Sequence, residues 1–262
     1  MGDMKLVVCT PRSLPRDKWV EAAANAARVN PNNLPVGAKP DDVAVAGGEK
    51  LALDIRKYWG RQGVQLTVGF LGTFGPDLRA KIVSHMNAWN RTAKVSFVEA
   101  TSDPQVRIAR MDATEAPPGM DGYWSYVGTD ILSIPKNEPT MNLEAFTMTT
   151  PDSEFYRVVR HETGHTLGFP HEHMRKQLVE RLDRAKVIQD FRRTQGWTEQ
   201  QVIDQVLTPL EESSLLGTPT ADASSIMCYQ IPGRLTLDGQ PIPGGVDIDA
   251  SDHDFVSHLY PK

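Results

Sequence analysis

The chain has 262 residues, with 28 Lys and Arg against 33 Asp and Glu and a formal net charge of -5. That balance carries no basic footprint, so nucleic acid is set aside as a partner. No apolar run approaches the ~18 residues of a membrane span, and two cysteines, Cys9 and Cys228, are too few for a disulfide framework.

With 40% hydrophobic and 23% charged residues, the composition is that of a globular protein with room for one large core. The apolar stretch Leu6-Val7-Val8-Cys9 is too short for the ~7–15-residue heart of a signal peptide. Residues 1–60 read as an N-terminal extension or a pro-segment. Within them, residues 17–29 are Ala-rich and helical, an Asn/Pro-rich stretch breaks the pattern at 30–35, and residues 49–59 suggest a second short helix.

From residue 64 the periodicity sharpens. Residues 64–71 read as a strand. Residues 76–91 read as a helix with Leu78, Ile82, Met86 and Trp89 on one face. Strands are expected at 94–99, 105–110, 122–127 and 131–134, and a loop over 135–150. A helix then begins near Thr150, its expected cap, with Pro151 at the first helical position. Phe155, Val158 and Val159 form its apolar stripe, and Gly168 with Pro170 ends it. Helices are expected over 176–194 and 199–207, the second opened by a Thr198/Gln201 capping box. Loop follows over 208–250, then a last helix at 252–259 capped by Ser251 or Asp252.

The chemistry lies in His161-Glu162-Thr163-Gly164-His165-Thr166-Leu167-Gly168-Phe169-Pro170-His171. His161 and His165, four apart on a helix, put both imidazoles on one face within reach of one ion. Glu162 projects beside them, where a carboxylate can deprotonate a water without being a ligand. Gly168 can take a positive φ and turn the chain, so that His171 arrives as a third ligand. Three protein nitrogens and an open position make a catalytic zinc site, whereas a structural site is filled by four protein ligands.

The pattern HExxHxxGxxH resembles that of the metzincin zinc peptidases. Ser225-Ile226-Met227-Cys228-Tyr229 looks like that family's Met-turn, with Met227 as its methionine. Tyr229, two residues on, matches the tyrosine that astacin-like and serralysin-like branches use as an additional zinc ligand able to swing toward the transition state. Phe169 and Glu172 match the astacin form of the motif. The resemblance therefore implies an α+β, two-lobed metzincin catalytic domain over residues 61–262. Its upper lobe, about 61–168, would hold a mixed, twisted sheet and the zinc helix. Its loop-rich lower lobe, about 169–262, would hold the Met-turn and the C-terminal helix. It implies one catalytic zinc ion on His161, His165, His171 and Tyr229, and Glu162 and Tyr229 as catalytic residues. It also implies a protein or peptide substrate, and secretion, although no signal peptide is legible. The segment 122–126 stands where that family has the edge strand of its substrate cleft.

The chain departs from the animal enzymes in lacking paired disulfides, in carrying Cys228 where His is frequent, and in the sequence of 174–195. A zinc hydrolase of a non-protein amide and an inactive binding module stay open as alternatives; the intact Glu162 speaks against the second. Glu172 is expected in a structural ion pair. Cys9 reads either as an isolated small residue or as an inhibitory thiolate, though Cys9-Thr10-Pro11-Arg12 is not the matrixin switch. His85, His173, His253 and His258 lack ligand spacing and read as surface or internally satisfied histidines. The acidic run Asp247, Asp249, Asp252, Asp254 lacks the glycine and terminal glutamate of an EF-hand and reads as a solvated loop and helix cap.

Overall fold

The computed structural model describes residues 9–10, 12–35, 37–39, 56–210 and 220–262. Among these, Cys9–Phe169 with His253–Lys262 form one compact unit and Pro170–Asp252 a second.

The first unit is built on a five-stranded sheet. In β1 (Val64–Phe70) Leu66 and Val68 are wholly buried on one face. β1 pairs in parallel with β2 (Val95–Glu99), Leu66 opposite Phe97, and on its other edge with β3 (Val106–Ala109), Val68 opposite Val106. The link from β2 to β3 crosses over β1 at Gly69, where a Cβ would stand 2.3 Å from Pro104, so only glycine admits that crossing. β3 continues in parallel to β5 (Met141–Leu143), and β5 pairs antiparallel with β4 (Tyr123–Ser125). The order is β2-β1-β3-β5-β4, a mixed sheet in an α+β unit.

One strand expectation and one loop expectation fail. Residues 131–133 lie in the 3-10 turn Gly128–Ser133, and Ile134 follows it as an extended residue. Gly128 has φ 51°, and the Thr129 N–H donates to the Lys57 carbonyl at 3.1 Å, which holds the segment in a turn. The fifth strand falls instead in the expected loop. Asn142 masks it in the sequence, yet its buried amide bonds both the N–H and C=O of Met111 and the Gly122 carbonyl.

α1 (Trp19–Val29) buries Ala22, Ala23, Ala26 and Ala27 and packs on the Gly128–Ser133 turn. The Asn33 side chain, wholly buried, accepts from the Tyr58 N–H and donates to the Tyr58 carbonyl. With both backbone groups so engaged, residues 56–59 are not helical; residues 49–55 of that expected helix lie outside the described residues. α2 (Pro76–Met86) follows Gly75 with proline in its first turn and buries Leu78, Ile82 and Met86. Its expected extension to residue 91 tightens into 3-10 geometry over Asn87–Arg91, because the Asn87 amide bonds Phe97 at the strand edge.

The second unit has no sheet strand among the described residues. The expected helix over 176–194 divides into α5 (Lys176–Val179) and α6 (Arg184–Gln195). The break is forced by Leu182, bridged to Thr236, and by the Asp183 N–H, which donates to the Leu235 carbonyl. Asp183 then caps α6, and Gly196 at φ 68° ends it. α7 (Glu199–Val202) opens with the Thr198/Gln201 capping box and runs into a π-turn, Ile203–Leu207. Val187, Phe191, Val202, Val206, Ile231, Leu235 and Ile242 form the core of this unit. α8 (Ala250–Leu259) closes the chain. Asp249, not Ser251 or Asp252, caps it: Asp252 N–H donates to the Asp249 carboxylate at 2.8 Å and Asp249 N–H to that of Asp252 at 3.1 Å, a reciprocal cap.

Candidate metal centre

The histidine-bearing helix comes in three continuous pieces: α3 (Asp152–Glu154), a π-turn Phe155–Val159, and α4 (Arg160–Thr166). Phe155, Val158 and Val159 are its buried stripe, as expected. Thr150 does not cap it. Its hydroxyl accepts from the Thr147 N–H in the preceding turn, and Pro151 is the flanking residue rather than the first helical one. Gly168 has φ 102°, and a Cβ there would meet Tyr58 at 2.9 Å and the Lys57 carbonyl at 3.1 Å. The helix therefore stops where a glycine is required, immediately after α4.

In the first unit, α4 brings His161 and His165 together edge to face, ring centroids 4.8 Å apart. The Phe169 carbonyl lies 2.7 Å from His165 Nδ1. A carbonyl can only accept, so Nδ1 carries the proton and Nε2 keeps its lone pair for a metal. Both rings are buried.

A third donor comes from far away in sequence. Thr10 N–H donates to the Tyr123 carbonyl at 3.1 Å and Arg12 N–H to that of Ser125 at 2.9 Å. Cys9 is thus bridged in parallel to Tyr123 and Arg12 to Tyr126. Cys9 Sγ and the ring nitrogens of His161 and His165 fall within 4.8 Å of one another. The thiol donates to Glu162 Oε2 at 3.2 Å. Burial, the Glu162 charge and that hydrogen bond raise the Cys9 thiol well above its ordinary value. Glu162 is 1% exposed. Burial pushes its carboxyl up to about 8, against smaller opposing pulls from Cys9 and Arg157. Its Oε1 is buried with no hydrogen-bond partner among the described residues. Imidazole nitrogens and a thiol at such spacing are the donor chemistry of zinc.

His171, Glu172, His173 and the turn at 225–229 belong to the second unit. His171 and Tyr229 are both buried, ring centroids 4.5 Å apart. The turn is closed by Cys228 N–H to the Ser225 carbonyl at 2.9 Å, and Glu172 N–H donates to the Met227 carbonyl at 2.9 Å. Asp252 anchors it, accepting from Ser225 Oγ at 2.6 Å and Ile226 N–H at 3.0 Å, while Ser225 Oγ also accepts from Met227 N–H. The Glu172 carboxylate takes the Asp222 N–H at 2.9 Å and faces Arg175 at 3.5 Å. Burial pushes it up to about 7. Its expected ion pair is therefore with Arg175.

Cys9 and Cys228 are both buried and are not joined in a disulfide. The acidic run is a cap network, and no metal-ligand cluster occurs in it among the described residues. Trp124 is core, wholly buried, with Arg12 over its ring. His173 is fully buried against Tyr229. Sequence reasoning leaves Cys9 undecided and gives His173 no role: Cys9 and Glu162 are 153 residues apart, and His173 misses the ligand spacing. The adjacency of His173 to the motif is the one available signal.

The family profile for Astacin, a peptidase family, matches residues 53–232. A structure of myroilysin is 31% identical with a TM-score of 0.71, covering 79% of this chain and 96% of its own. A crystal structure of myroilysin, 26% identical with a TM-score of 0.58, covers 98% and 100%. High choriolytic enzyme 1, a hatching enzyme zinc-protease from the medaka fish Oryzias latipes, shares the fold at 18% identity and a TM-score of 0.50, covering 77% and 92%. No curated protein sequence matches the chain.

Proposed function

The chain belongs to the astacin family of zinc metalloendopeptidases. On that premise we propose that His161, His165 and His171 hold its single zinc ion, with Tyr229 as an additional ligand at rest. Glu162 is then the general base and Tyr229 the donor to the oxyanion. The observation that carries this reading is the pairing of two buried imidazoles, 4.8 Å apart, with a buried carboxylate whose Oε1 is unclaimed. Bound zinc supplies Lewis acidity, polarising the scissile carbonyl and lowering the pKa of water from 15.7 to roughly 7. Glu162 takes the proton of the attacking water and returns it to the leaving amine. A carboxyl raised by burial is suited to both halves of that transfer. The Tyr229 hydroxyl donates to the oxygen on which charge develops.

Residues 1–60 act as a pro-segment ahead of a catalytic domain over 61–262. Two contacts support this. Thr10 and Arg12 take up the Tyr123 and Ser125 carbonyls of β4 that an extended substrate would pair with, and the Cys9 thiol donates to Glu162 Oε2.

Glu162→Gln tests the base. Zinc content should stay at one per chain while casein hydrolysis falls by about 10²–10⁴-fold; near-native hydrolysis sinks the mechanism. Cys9→Ala tests the block. Peptide hydrolysis by the full chain should rise by ~10-fold or more, since a competing state is removed; unchanged activity means that Cys9 does not restrain the site.

A further inference from the structure

We propose that His173 is a positioning residue for Tyr229: its ring is a fixed shelf that sets the plane in which the phenol moves. The proposal rests on the reading of Tyr229 as oxyanion donor and adds to it.

The two rings are stacked face to face, centroids 3.9 Å apart and 19° from parallel. Against Tyr229 from a second direction stands His171, at 4.5 Å and 57°. Between two imidazoles the phenol ring cannot tilt freely; what remains is motion within its own plane, along the line of its hydroxyl. A shelf works only if it is itself held. The Gln205 carbonyl lies 3.2 Å from His173 Nε2, so that nitrogen donates. Gln205 belongs to the π-turn Ile203–Leu207, at the end of the α7 run, where carbonyls lack helical partners. Val202, Val206 and Leu207 seat that turn in the core. The chain of support runs from core to Gln205 to His173 to Tyr229, all inside one unit. It also accounts for the residue type: a flat ring is needed for the stack and an N–H for the half-buried Gln205 carbonyl, and His supplies both.

Preorganising a donor matters because the transition state must not spend energy on orienting it. A histidine that merely fills the core would affect stability alone.

The test uses the full chain carrying Cys9→Ala, and within it His173→Ala, His173→Phe, Tyr229→Phe and the His173→Ala/Tyr229→Phe pair. His173→Ala should lower kcat about 10-fold with KM and zinc content near those of the parent. In the copper(II)-substituted protein it should weaken the tyrosinate-to-copper charge-transfer band, a readout independent of turnover. His173→Phe, which keeps a stacking face, should recover most of the band and of kcat. In the Tyr229→Phe background, His173→Ala should cost little more. An equal loss in both backgrounds, or an unaltered band in His173→Ala, overturns the shelf. Native kcat in Tyr229→Phe instead overturns the oxyanion reading beneath it. Should His173→Ala fail to fold, His173→Leu fills the space without a flat face and carries the same expectation.

Discussion

In the unit built on the sheet, the side chains proposed to function are aimed by regular backbone. His161, Glu162 and His165 stand on α4, whose direction is set by helix hydrogen bonds and by tryptophan anchors: Trp59 Nε1 donates to the Thr166 carbonyl and Trp89 Nε1 to that of Arg160, both at 2.9 Å. In Pro170–Asp252 the reverse holds. Tyr229 stands on an irregular turn, and side chains do the aiming: Asp252 on Ser225 and Ile226, Glu172 on Asp222, His173 on Tyr229. Regular backbone distributes its support over many bonds, each worth about 1 kcal/mol net. A turn held by side chains concentrates support in a few, so single substitutions there should weigh more on geometry.

The largest expected effect is on the helical side, where the residues act by their own chemistry. His161→Ala or His165→Ala should remove both stoichiometric zinc and activity; elemental analysis finding one zinc in both variants breaks the ligand assignment. On the turn side, Tyr229→Phe should reduce kcat by about 10²–10³ while zinc and KM hold steady. A native kcat with a lowered melting temperature would make Tyr229 a packing residue. Asp252→Ala should destabilise by about 3 kcal/mol, because a buried hydroxyl and a buried N–H lose their acceptor together. A loss below about 1 kcal/mol, measured by denaturant unfolding, would show that the turn is held by something else.

Asp252 also permits a pH comparison. Burial raises its carboxyl to about 6, above the ordinary carboxylate range. The folded state therefore favours its protonated form, and its contribution to stability is lost as pH rises from about 4 to about 6. The melting temperature of the natural chain, taken relative to Asp252→Asn, should decline across that window; a flat or rising difference contradicts the sign. The smallest effect is expected at Thr198→Ala. It removes an exposed capping box from α7, should cost about 1 kcal/mol and should leave turnover untouched.

The same contrast decides what can be read from sequence. His161, Glu162, His165 and the Gly168 stop are legible because helical spacing and a positive-φ glycine are local rules. So is the Thr198/Gln201 box. The strand Met141–Leu143 is not, because its buried Asn142 is satisfied only by Met111 and Gly122, which sequence does not place beside it. The strand expected at 131–134 fails for a similar reason: the Lys57 carbonyl holds that stretch as a turn. The contacts of Cys9 and His173 are hidden in the sequence since each involves a partner supplied by the fold.

The acceptor that organises the turn at 225–229 is made after it. Asp252 follows Ile226 by 26 residues, so at about 5–20 residues per second the anchor is added roughly one to five seconds after the turn it holds. Until then the Ser225 hydroxyl and the Ile226 N–H lack their carboxylate acceptor. For an enzyme that cuts polypeptides, this sets an order of assembly. The helix that carries His161 and His165 is synthesised whole before the residue that anchors the turn bearing Tyr229 is added.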